Sequence, residues 1–228
     1  MDKIVETFQQ CFIEGDRYLL LLEGLRNTLV ITVFALILGL VLGFLVAIVR
    51  STHDKRGGLK VLNAICKFYL TVIRGTPTLI QLMIMYYIIL IAVNNSIIVA
   101  ILAFGINSGA YIAEIVRAGI MSIDEGQYEA GRSLGLSYGM TMRMIVIPQA
   151  FKNVLPALGN EFITLLKETS ISGYIGIFEI TRAGDIIRSR TYTAFMPLIG
   201  VALIYLVIVI VLTKLLGVME KRLRNSDR

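Results

Sequence analysis

Residues 153–168 are mostly Leu, Ile, Phe, Val, Ala and Gly, but six polar side chains interrupt them. At about 100° per residue, with Asn160 as zero, Lys167 falls at about −20° and Asn153 at about 20°. Thr164 falls at about 40°, Glu168 at about 80° and Glu161 at about 100° on the same scale, so all six share an arc of about 120°. A charge at bilayer depth costs several kcal/mol unless it faces protein or water. This face therefore looks into a helix bundle or a watery path. One chemistry open to it is passage of a zwitterion: Glu161 meets an ammonium or guanidinium group, and Asn160 and Thr164 supply neutral hydrogen bonds. The other is a polar network that glues helices together. A second group, Arg74, Thr78 and Gln81, also shares one helical face at about 100° per residue. Pro77 between them removes a backbone donor and kinks the helix. Arg74 is read either as part of the path or as paired with an acidic neighbour or snorkelling to the interface. Glu114 and Arg117, at i and i+3, read as a structural pair.

The elements that carry these residues are read from hydropathy. Of the 228 residues 56% are hydrophobic and 17% charged, with a mean hydropathy of +0.77. A soluble domain of this size needs more polar surface than that. Residues 27–49 carry no charge and give roughly 35 Å of helix, enough for a hydrocarbon core of about 30 Å. A cleaved leader is not expected, because this run is too long and the first 26 residues are rich in acids. The uncharged stretch 75–113 is about twice a bilayer core as one helix, so it turns at Asn94, Asn95 and Ser96. The sequence predicts an all-α integral membrane protein with five spans, at about 27–49, 61–91, 97–118, 150–172 and 193–214. The fourth is marginal by hydropathy.

Lys and Arg set the orientation. Arg50, Lys55, Arg56 and Lys60 lie in one loop, Arg117, Arg132, Arg143 and Lys152 in another, and Lys214, Lys221, Arg222, Arg224 and Arg228 in the tail. The opposite side holds Lys3, Arg17, Arg26, Arg182, Arg188 and Arg190. The larger group faces the cytoplasm, so the N-terminus is outside and the C-terminus inside. The net charge of +6 then reflects topology, and a nucleic-acid partner is not expected. Residues 173–193 form an outer loop suited to a short helix on the membrane. Cys11 and Cys66 make no disulfide framework, the lone His53 is no metal site, and no P-loop is present.

The cytosolic loop 122–150 is the most informative stretch. Ser122 and Glu125 fit a capping box. A short helix then runs to about Leu134, and Gly135 supplies the left-handed residue that ends it. Ser137 starts a second short helix, and Pro148 marks the return to the membrane. Such a stiff, displayed helix–Gly–helix elbow suits docking to a soluble partner.

Glu129-Ala130-Gly131, Gly135 and Ile145-Val146-Ile147-Pro148 resemble the EAA loop of ABC-importer permeases, with Gly131 in place of Ala and Ile147 in place of Leu. RGTPTLIQL at 74–82, SGAYIAEIVRAGI at 108–120 and GNEFITLLKETS at 159–170 are similar to the polar amino-acid uptake branch, the histidine, glutamine and arginine type. The resemblance spans about residues 24–217. It implies a type I importer transmembrane domain there, after an extracytoplasmic segment 1–23 and before a cytoplasmic basic tail 218–228. It implies a paired permease, with a second copy of itself or a similar chain, in the inner membrane of a prokaryote. It implies two cytosolic ATPase subunits docked on the EAA loop through Gly126, Gln127, Glu129, Ala130, Gly131, Leu134, Gly135 and Pro148. An extracytoplasmic binding protein would deliver a polar, possibly basic, amino acid to a path of Glu161, Asn160, Thr164, Arg74 and Gln81. The chain itself would be no enzyme and bind no cofactor or metal; ATP and Mg would belong to the partner ATPase. The rival readings are an ion-coupled secondary transporter and a membrane scaffold.

Overall fold

The computed structural model describes residues 2–225, and all regular structure among them is helical. After α1 (Asp2–Phe8) and a short irregular helical stretch comes α2 (Arg17–Arg56). α3 (Lys60–Arg74) and α4 (Thr78–Ile84, continued by a π turn, Met85–Ile89) follow, then α5 (Ser96–Met121). The elbow is α6 (Glu125–Ser133) and α7 (Tyr138–Thr141), followed by the π turn Met142–Val146. α8 (Ile147–Glu168), a 3-10 stretch (Thr169–Ile175), α9 (Ile180–Thr191) and α10 (Phe195–Asn225) complete the chain. The last helix runs through most of the expected tail; residues 226–228 lie outside the described residues.

Three stretches are long and apolar enough to cross a bilayer: Lys3–Lys55, Ser96–Met121 and Phe195–Arg222. α3 and α4 add a fourth when counted together as one broken span. α8 is not among them. Lys152, Glu161, Lys167 and Glu168 lower its hydropathy, the reason for its marginal rank in the sequence.

Where one kinked helix was expected over 61–91, the helix ends at Arg74 and restarts at Thr78. Pro77 has no N–H to give, its ring opposes the carbonyl one turn back, and it pushes Thr76 out of the helical region. The Gly75 N–H closes α3 on the Thr71 carbonyl at 3.0 Å. The angular reckoning that placed Arg74 on one face with Thr78 and Gln81 does not carry across this break. The expected turn at Asn94–Ser96 is present, and the Asn95 side chain accepts the Ile97 N–H at 3.0 Å at the start of α5.

The chain divides into two compact units. One comprises the chain up to Ala35, Thr78–Phe104 and Ile163–Lys214. Its core joins Cys11, Phe12, Leu21, Ile180, Ile187 and Val201. The other comprises Leu36–Pro77, Gly105–Phe162 and the chain from Leu215. Its core joins Ala47 of α2, Ile112 and Val116 of α5, Tyr128 of α6, and Val154 and Leu158 of α8. Within a bilayer such side chains are held by close packing rather than by removal from water. This second core holds the elbow against α5 and α8.

Candidate functional site

The elbow is built from local caps. Asp124 is the N-cap of α6, its carboxylate accepting the Gly126 N–H at 2.7 Å. This corrects the expected Ser122–Glu125 capping box. The Ser122 hydroxyl instead donates to the Gly119 carbonyl at 2.8 Å and accepts from Asn153 Nδ2 at 3.2 Å. Asp and Ser cap about equally well, and Asp124 is the one adjacent to the helix. At the other end Gly135 has φ +75°. The Leu136 N–H reaches the Gly131 carbonyl at 3.0 Å and the Gly135 N–H reaches the Arg132 carbonyl at 2.9 Å. That is the Schellman pairing, and it needs the left-handed residue at Gly135. Ser137 caps α7, its hydroxyl accepting the Met140 N–H at 3.4 Å.

Gly131, where the EAA pattern has Ala, sits where the two arms of the elbow meet. A methyl group there would lie 2.6 Å from both Thr141 Oγ1 and Cγ2. The departure from the pattern is therefore a packing fit between α6 and α7. Among the expected docking residues, Gly126, Glu129, Ala130, Leu134, Gly135 and Pro148 are exposed, Gln127 is half-buried and Gly131 is buried. Gln149, just beyond Pro148, donates to the Gln127 side chain at 3.1 Å and so ties the start of α8 to α6.

Beneath the elbow, Tyr128 and Tyr138 lie nearly parallel with ring centroids 6.4 Å apart. Lys55 Nζ sits 4.5 Å from the centre of the Tyr128 ring and is hydrogen-bonded to Glu125. Burial pushes the Tyr128 phenol above its ordinary pKa. Sequence reasoning missed Lys55 as a partner of the elbow; nothing local in the sequence links residues 70 positions apart.

Along α8 the polar arc is real but divided in its surroundings. Asn153, Asn160, Thr164 and Lys167 are exposed, whereas Glu161 and Glu168 are half-buried. Glu161 Oε1 accepts the hydroxyl of Ser108 on α5 at 2.7 Å. Ser108 is itself buried and was missed. The available signal was a polar Asn107-Ser108 pair inside an otherwise apolar stretch of α5.

Arg74, at the end of α3, lies 3.8 Å from Glu114 Oε2 of α5, and its guanidinium stands 5.5 Å from the centre of the Tyr111 ring. The expected Glu114–Arg117 pair is present at 3.4 Å. Arg117 also reaches Asp54 at 3.1 Å. A cavity of about 270 Å³ opens here, lined by Arg50, Lys67, Leu70, Thr71, Arg74 and Glu114. Gln81 lies half-buried on α4.

The loop expected to hold a short helix forms α9. Its N-cap, Glu179, is fully buried, and its carboxylate accepts the N–H groups of Thr181 at 2.7 Å and Arg182 at 2.6 Å. Burial pushes the Glu179 carboxyl above its ordinary pKa, and the two backbone donors oppose that rise. Asp185 on the exposed side is paired with Arg182 at 3.1 Å and Arg188 at 2.6 Å.

The chain thus joins apolar helices long enough to span a bilayer with a capped, displayed polar elbow. Residues 39–225 match the family described as binding-protein-dependent transport system inner membrane component, and the chain belongs to that family. It is a permease subunit and not an enzyme. The chain is 40% identical over 210 residues to the arginine transport system permease protein of Bacillus subtilis (strain 168), covering 91% of this chain and 94% of that one. It is 40% identical over 209 residues to the glutamine transport system permease protein of Escherichia coli (strain K12), covering 90% and 93%. Among solved structures it is similar to a chain of an amino acid ABC transporter with histidines, at 42% identity and a TM-score of 0.84, covering 92% and 98%. The inward-facing MetNI methionine ABC transporter, at 21% identity and a TM-score of 0.80, shares the fold. The fold is that of the type I ABC importer membrane subunit.

Proposed function

We propose that this chain is the permease through which an ATP-driven importer moves a polar, preferentially basic, L-amino acid across the inner membrane of a bacterium. The observation that carries the substrate reading is the placing of opposite charges along α5. Glu161 is held at Ser108 and Arg74 at Glu114. Ser108 and Glu114 are six residues apart on α5, about 9 Å along the axis and about 120° around it. A substrate carboxylate at Arg74 and a side-chain cation at Glu161 would have to follow the surface of α5 from one face to the next. Asn160 continues the polar face of α8 beside Glu161, exposed in the single chain. Relatives that carry arginine and glutamine support this substrate class.

The partners follow from the family and the elbow. Two ATPase subunits bind ATP and Mg and dock on the exposed residues of α6 and the turn at Gly135. A second permease chain covers the polar face of α8, and a binding protein delivers substrate from outside. The topology is five spans, with α3–α4 as one broken span, α8 as the marginal one, and the N-terminus outside. Cysteines placed singly at residues 95 and 140 test the orientation: an impermeant reagent in intact cells should label the first and spare the second. Labelling at 140 overturns it. For the substrate, the test is ATPase stimulation in proteoliposomes holding the assembled importer and its binding protein, across a panel of amino acids. Basic and polar amino acids should stimulate and aliphatic ones should not. A flat response contradicts the reading.

A further inference from the structure

Glu114 is shared between two arginines. Arg74 Nη1 and Arg117 Nη2 both approach its Oε2, at 3.8 and 3.4 Å. Arg117 Nη1 in turn donates to Asp54 Oδ2 at 3.1 Å. The next residue on α2, Lys55, is hydrogen-bonded to Glu125, the first residue of α6. Two runs of alternating charge therefore start from neighbouring residues of α2, one toward the first turn of the elbow helix and one toward the end of α3. The order is Glu125 to Lys55, then from the adjacent Asp54 through Arg117 and Glu114 to Arg74. All six lie in one compact unit. Arg117 Nε is buried with no hydrogen-bond partner, so its side chain is held through the two terminal nitrogens. Arg74 is the last residue before the break at Gly75–Pro77.

We propose that Glu114 and Arg117 are positioning residues that set how much of the Arg74 charge is open to substrate, and that the ATPase acts on them through α6. This rests on Arg74 belonging to the substrate path. The reason is competition for one oxygen. When Asp54 lets go of Arg117, Arg117 turns wholly to Glu114 and loosens the hold of Glu114 on Arg74. When Asp54 draws Arg117 away, Glu114 recaptures Arg74. A shift of α6 reaches Asp54 through Glu125 and Lys55.

Competition gives opposite signs to two substitutions. Arg117→Met leaves Glu114 to Arg74, so the L-arginine concentration for half-maximal ATPase stimulation should rise. Asp54→Asn leaves Arg117 to Glu114, so that concentration should fall. Partly exposed ion pairs set the size at about two- to fivefold in each direction. Arg117→Lys keeps the charge but offers one nitrogen where two are used, so it should shift in the direction of Arg117→Met and by less. A purely structural role would move both variants the same way.

The experiment is a titration of L-arginine on the assembled importer with its binding protein in proteoliposomes. It compares these three variants with Arg74→Gln, after equal co-purification of the ATPase is shown for each. Opposite shifts support the proposal. Shifts of one sign, or no shift in Arg117→Met and Asp54→Asn while Arg74→Gln raises the half-maximal concentration, overturn the series but spare the substrate path. An unchanged titration in Arg74→Gln overturns both.

Discussion

The elbow and the polar face of α8 differ in how their polar groups are satisfied. Each turn of the elbow is closed by its own residues: Asp124 caps α6, Gly135 ends it, Ser137 caps α7, and Thr141 fits against Gly131. On α8, Asn160 and Thr164 stay exposed, while Glu161 turns inward to Ser108. A self-sufficient elbow can be presented to a partner without rearranging. A polar face left open at a depth where charge is costly is finished by something else, a second chain or a substrate. The first region is a rigid handle and the second an unfinished wall.

The largest effect should come from the wall. Glu161→Gln keeps shape and removes charge. A charge-assisted hydrogen bond is worth about 1.5–3 kcal/mol, so substrate affinity should fall roughly 10- to 150-fold, and more for basic than for neutral amino acids. Substrate-stimulated ATPase titrations read this, and a well-expressed variant with unchanged substrate ranking would reject the site. Next is the handle. Gly135→Val forces a branched side chain into the left-handed region, at a cost of about 1–2 kcal/mol, and adds bulk to the exposed turn. Co-purification of the ATPase should weaken while the membrane fold persists, and unchanged co-purification with normal uptake counts against the docking role.

Gly131→Ala sharpens the comparison, because it restores the pattern of the EAA loop. Overpacking against Thr141 costs about 1–3 kcal/mol, offset by about 1 kcal/mol of helix preference, leaving a modest loss of ATPase binding. Thr141→Ala added to it should recover that loss, and no recovery would mean the two arms do not meet as described. The smallest effect is Asp124→Ala, which removes one cap worth about 1 kcal/mol. It should lower the thermal stability of the detergent-solubilised chain slightly, and Asp124→Asn should restore it. Equal stability of Ala and Asn variants would deny Asp124 its capping role.

The elbow was legible because its signals are local. Gly135 and Ser137 follow from single residues beside short helices, and the one error, Ser122 for Asp124, chose between two residue types that cap about equally well, of which Asp124 adjoins the helix. The α8 face was legible as a period, and its marginal hydropathy is matched by the structure. What could not be read was every partner distant in sequence: Ser108 for Glu161, Lys55 for Glu125, Asp54 for Arg117. In the sequence, Pro77 reads as a kink, and its consequence for Arg74 and Gln81 stays hidden because helical angles assume an unbroken helix.

The central claim is that this permease moves an amino acid at the expense of ATP bound elsewhere. Proteoliposomes containing the assembled importer and its binding protein, with ATP and Mg enclosed or omitted and an ion gradient imposed or collapsed, measure it directly as uptake of labelled L-arginine and L-glutamine. The account predicts uptake that follows the nucleotide and ignores the gradient. Uptake that persists without ATP as long as the gradient holds would contradict it.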